Sequence, residues 1–97
     1  MYVVRDVFHC KPGKAKELIE KFKLTFDAMK EDNFTNSRIM VDAVADYWTV
    51  VIESDFEKLD DFERHMQGYG MRPEVMKAME GYMDLLIEGH REIYRIV

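Results

Sequence analysis

The sequence predicts one α+β domain of the ferredoxin-like kind, with element order β-α-β-β-α-β and an antiparallel four-stranded sheet carrying its helices on one face. Three observations predict it. A β-branched and aromatic run gives way to helical spacing at Lys11-Pro12-Gly13-Lys14. Two strand-like runs then follow each other with only a short polar break, at 38–44 and 47–53. After a second helical region, the chain returns to strand composition beyond Gly89. This order is the split βαβ arrangement, in which all helices pack on the same side of the sheet.

The elements follow in order. Tyr2 to Cys10 is rich in valine and aromatic residues and reads as a strand. Pro12 removes a ladder donor and Pro12-Gly13 is strong turn chemistry, so the strand stops there. Leu18, Ile19, Phe22, Phe26 and Met29 then fall at helical spacing between charged residues, which predicts an amphipathic helix from Gly13 to about Lys30. Asp32-Asn33 and Thr35-Asn36-Ser37 are loop residues. Arg38 to Val44 alternates, Ala45-Asp46 leaves room for a tight hairpin, and Tyr47 to Glu53 is the returning strand. Ser54 or Asp55 suits an N-cap, with Phe56, Leu59, Phe62 and Met66 on one helical face. Gly68-Tyr69-Gly70 breaks that helix and Pro73 starts another, with a stripe running through Met79 and Leu86 and a C-cap at Gly89. His90 to Val97 closes the chain as the fourth strand.

Ninety-seven residues make one domain, 1–97, with no second core. A chain this short buries only ~65% of its unfolded surface, and small domains usually compensate with disulfides, a metal or oligomerisation. The single cysteine, Cys10, cannot form an intramolecular disulfide. With no apolar leader and no long apolar run, the expected setting is the reducing cytoplasm, away from membranes. The net charge of -5 argues against nucleic acid, because the lysines and arginines between Lys11 and Lys30 alternate with Glu17, Glu20, Asp27 and Glu31. His9, Cys10, His65 and His90 show no metal-ligand spacing, and no phosphate loop or nucleophile elbow occurs, so neither metal nor cofactor is expected.

Oligomerisation remains, and the strands themselves call for it. Val4 and Phe8 but also Val3 and Val7, and Val50 and Ile52 but also Tyr47 and Val51, place apolar side chains on both parities. A sheet with one wet face alternates more cleanly. The chain has helices for one face, so a second copy is the expected cover for the other, giving a homodimer.

The strand entering Lys11-Pro12-Gly13-Lys14, the run Glu53-Ser54-Asp55-Phe56, and the terminal Gly89-His90-Arg91-Glu92-Ile93-Tyr94-Arg95-Ile96-Val97 together resemble the dimeric α/β-barrel superfamily. That group holds the antibiotic-biosynthesis-monooxygenase-like and NIPSNAP-like small proteins. The resemblance implies two sheets facing each other across a dimer, and a small apolar or aromatic ligand held between the sheet and its partner. For the monooxygenase-like members it implies an enzyme working without metal or flavin, in which a phenolic substrate is deprotonated and its carbanion meets oxygen. Such chemistry needs a dry aromatic wall, a base, and donors for the enolate. The candidates are Tyr47, Trp48, Tyr69, Tyr82 and Tyr94 as wall, His9 or His65 as base, and Arg5 or Arg38 as donor.

Each candidate has a plainer reading. Arg5 and His9 share a parity, which fits a base beside a cation, or equally an interface network pairing Arg5 with Asp42, Glu53 or Glu92; the second is favoured. Haem-degrading members of the superfamily use a helical histidine with a tryptophan near the third strand's exit. Trp48 lies instead at that strand's start, so His65 is expected as a partly exposed surface residue. Aromatic residues at strand or helix spacing are most often core. The preferred reading is therefore a small dimeric α/β-barrel binding protein, with a cofactor-independent monooxygenase-like enzyme as the rival.

Overall fold

The computed structural model describes residues 1–29, 36–69 and 72–97, and shows the expected order of elements. Strand β1 spans Tyr2–Cys10, helix α1 Ala15–Ala28, β2 Ser37–Val41, β3 Thr49–Phe56, α2 Leu59–Tyr69, α3 Pro73–Ala78 and β4 Leu86–Arg95, with a 3₁₀ turn at Tyr82–Leu85. The sheet order is β2-β3-β1-β4 and the paired strands are all antiparallel. The expected end of the first helix at Lys30, the loop residues Asp32, Asn33 and Thr35, and the breaker Gly70 lie outside the described residues.

The helix-facing side of the sheet carries the even-numbered residues of β1 and β3. Val4, Cys10, Val50 and Ile52 are buried there beneath Ala15, Leu18 and Phe22 of α1 and Leu85 of the 3₁₀ turn. Phe8 stacks at a tilt on Phe22, with ring centroids 5.3 Å apart. Helix α1 starts at Ala15 instead of Gly13 because Gly13 takes a left-handed φ of 76° inside the Lys11–Lys14 turn. A residue with a Cβ pays about 1–2 kcal/mol for that conformation.

Four expected boundaries moved, each for a local reason. The hairpin after β2 is not tight: β2 ends at Val41, β3 begins at Thr49, and Tyr47 and Trp48 belong to the connection. Asp42 closes that connection, donating its backbone N–H to the Thr49 carbonyl at 3.1 Å and accepting the Thr49 N–H on Oδ1 at 2.9 Å, while the Thr49 hydroxyl donates to the Asp46 carbonyl. Ser54 and Asp55 do not cap α2, because they pair with Val4 and Val3 in the ladder. Gly68 lies within α2, and α3 ends at Ala78, well before Leu86. The break falls at Gly81, whose φ of 77° turns the chain into the 3₁₀ segment.

Gly89 is consequently a strand residue, not a C-cap. It stands opposite Phe8, and a Cβ there would meet the Phe8 ring at 3.3 Å. A bulge between His9 and Cys10 shifts the β1–β4 pairing just beyond this point.

Candidate functional site

The open side of the sheet is ordered by rows that cross its strands. Arg38, Glu53, Arg5 and Glu92 stand side by side on β2, β3, β1 and β4, so the charges alternate across the full width of the sheet. Arg38 donates to Glu53, and the Arg5 Nε lies 3.4 Å from Glu53 and 3.9 Å from Glu92. Glu53 is only 9% exposed although it faces away from the helices. The Arg5 Nε is buried without a well-aligned hydrogen bond, so its attraction to Glu53 is one of charge. The next row is Met40, Val51, Val7 and His90. Tyr94 flanks Val3 in an outer row, and His9 sits between Thr49 and Glu88 in the other.

The sequence candidates are distributed among three places. Arg5, His9, Arg38 and Tyr94 share the open face, as parity requires. Four strand positions separate Arg5 from His9, about 13 Å at the usual rise per residue. Arg5 is engaged by Glu53 and Glu92, and His9 Nδ1 lies 3.9 Å from Glu88, so base and cation do not meet over one opening. Of the three carboxylates weighed for Arg5, Glu53 and Glu92 are its neighbours, and Asp42 serves the loop instead.

Tyr47 and Trp48 lie in the β2–β3 connection and join His9 at the end of the sheet, around an open hollow of about 410 Å³. His65 is on α2, half-buried against Phe56 with ring centroids 5.8 Å apart, and burial lowers its pKa below the ordinary 6.5. Tyr69 ends α2, and its side chain lies outside the described residues. Cys10 is fully buried, and its thiol pKa is raised by that burial and secondarily by the Asp42 carboxylate.

An apolar opening whose lining no local sequence pattern brings together lies on the helix side of the sheet. A cleft of about 420 Å³ is lined by Phe8 of β1, Phe22 of α1, Met66 of α2, Val75 and Met76 of α3, then Met79, Tyr82 and, from β4, Arg91. Arg91 reaches across to Asp6, with Nη2 at 3.4 Å from Oδ2, and its guanidinium lies 5.1 Å from the Phe62 ring centroid. The cleft's one cation is thus answered by a carboxylate of the chain itself. Asp6 was the available signal: a charge between Val4 and Phe8 on a core parity needs a partner. Met66, expected on the apolar helical face with Phe62, is exposed at the mouth together with Met76.

Among the described residues, no three histidine, cysteine or acidic side chains cluster as a metal site, and no helix is long and apolar enough to cross a membrane.

Solved structures share this architecture. An uncharacterised NIPSNAP-like domain protein from Burkholderia xenovorans superposes with a TM-score of 0.84 at 17% identity, over 99% of this chain and 84% of that one. The fold is that of the NIPSNAP-like structures. A NIPSNAP family protein from Agrobacterium tumefaciens gives 0.84 at 13% identity, over 99% and 92% of the two chains. A proposed antibiotic biosynthesis monooxygenase from Nitrosomonas europaea gives 0.72 at 15%, over 100% and 99%. No family model matches the chain, and no curated protein matches it at a significant level. At these identities the likeness is one of fold.

Proposed function

We propose that this protein is a homodimeric α/β-barrel of the cytoplasm that binds a small apolar or aromatic molecule. The observation that carries the binding reading is the cleft, where Phe8, Phe22, Met79 and Tyr82 meet the thioethers of Met66 and Met76. Aromatic walls supply large apolar area, and unbranched methionine adapts to varied shapes. With Arg91 already paired to Asp6, a carboxylate ligand would have to displace the chain's own carboxylate. A neutral ligand with at most one hydroxyl or carbonyl fits better.

The dimer is supported by the open face. Val3, Val7, Met40 and Val51 lie beside an alternating charge row, and no segment described in the structure covers them. A second copy is the natural cover, turning the two sheets toward each other. The separation of Arg5 from His9 favours binding over the monooxygenase-like alternative, which needs both at one substrate.

Titration with N-phenyl-1-naphthylamine, a neutral apolar fluorophore, tests the cleft. Saturable enhancement at one site per chain is expected, weakened about fivefold or more by Met76→Gln. Met76 is 60% exposed, so the substitution should leave the fold intact. Enhancement that never saturates, or is indifferent to Met76→Gln, would count against the cleft.

A further inference from the structure

The hollow at the end of the sheet has a chemistry unlike that of the cleft. Tyr47 and Trp48 stand side by side there with ring centroids 5.7 Å apart and planes at 53°, so they form a corner instead of a stack. Tyr47 is 78% exposed and Trp48 39%, an unusual amount of aromatic surface to leave in water on adjacent residues. Besides the buried Cys10 thiol, the ionisable residues that complete the lining are His9, Asp46 and Glu88, and among the described residues no lysine or arginine contributes. Among the described residues the Asp46 carboxylate has no ion-pair partner, and Glu88 has only the His9 imidazole.

The corner is held in place. Trp48 adopts a left-handed φ of 60°, a conformation seldom used by a bulky side chain. The bonds around it keep it there: the Cys10 N–H donates to the Trp48 carbonyl at 2.9 Å, and Asp42 and the Asp46 carbonyl fix Thr49 immediately after it. Residues in sparsely populated backbone regions persist where their surroundings over-determine them, and they cluster at ligand sites. The left-handed turn swings the indole off the sheet and beside Tyr47.

We infer that this corner binds an organic cation of the alkylammonium class, seated on the faces of Tyr47 and Trp48 with Asp46 and Glu88 as its counter-charges. Aromatic faces attract a cation through their quadrupole, and two rings set at an angle with carboxylates at the rim suit a quaternary ammonium better than a flat stack does. A neutral apolar molecule would gain the ring contacts alone. An anion would meet two carboxylates. The site is separate from the cleft; His9 and Glu88 stand in the outermost row of the open face, at the rim of the surface assigned to a second copy, and Asp46, Tyr47 and Trp48 lie beyond that row in the β2–β3 connection.

Trp48 is the chain's only tryptophan, so its emission reads the site directly. The 97-residue chain is titrated with choline chloride at constant ionic strength, and in parallel with 3,3-dimethylbutan-1-ol, the uncharged analogue of the same shape. A saturable change with choline is expected, at least tenfold tighter than with the alcohol. Tyr47→Ala should weaken choline about fivefold, the scale of one exposed cation–π contact, and Asp46→Asn about two- to fivefold, the scale of one exposed charge pair. Both residues are exposed, so neither change should disturb the fold, which circular dichroism checks. Met76→Gln, in the cleft, should leave the choline response unchanged. A response that does not saturate, equal binding of the alcohol, or unchanged affinity in both variants would overturn the assignment.

Discussion

The two faces of this one sheet are built on opposite plans. On the helix side, Val4, Phe8, Cys10, Val50 and Ile52 close a dry core with Leu18 and Phe22. On the open side, the same strands present Val3, Val7 and Val51 between rows of paired charge, with Glu53 held by Arg38 and Arg5. The helix side is held by buried apolar area, which is not directional. The open side is held by ion pairs, which fix register but give modest net stability while water can reach them. The difference separates the surface that closes within one chain from the surface proposed above to meet another.

Breaking the helix side should cost most. Leu18→Ala removes a fully buried side chain at the centre of the core, and a loss of about 2–5 kcal/mol in urea-unfolding stability is expected. On the open side the largest single effect is expected at Glu53. Glu53→Ala strips the Arg38 hydrogen bond and leaves the half-buried Arg5 with Glu92 alone, a loss of about 1–3 kcal/mol by the same measurement. A Glu53 effect as large as that at Leu18 would show the open face to be as tightly built as the core.

A smaller effect is expected with pH. Burial against Phe56 lowers the His65 pKa, so the unfolded chain binds the proton more readily than the folded one. Stability from this residue is therefore present above the ordinary value of 6.5 and is lost as pH falls through the lower folded value. The urea midpoint should drop between pH 7.5 and pH 5, and His65→Leu should remove that share of the drop. An identical pH dependence in wild type and variant would contradict the burial of His65.

Much of this contrast was legible in the sequence because it rests on period-two spacing. The parity of β1 set Arg5 and His9 on one face and Phe8 with Cys10 on the other, the helices settle which face is the core, and Arg5 met two of its three expected partners. The β2–β3 connection was harder. Tyr47 and Trp48 have strong strand composition, and only the Asp42–Thr49 bonds and the left-handed Trp48 backbone take them out of the ladder. Gly89 was misassigned because a glycine after helical spacing looks like a cap, whereas the close approach of the Phe8 ring keeps it small. The cleft needed residues from β1, α1, α2, α3 and β4 at once, and no local pattern brings those together.

The contrast between the two faces holds only if the open one meets a copy of itself. Light scattering after size-exclusion chromatography at micromolar concentration tests this directly. The proposed homodimer should run as a single species of twice the 11.6 kDa chain mass. A folded species at 11.6 kDa, unchanged as concentration rises, would contradict it, because Val3, Val7 and Val51 would then stand in water beside their charge rows.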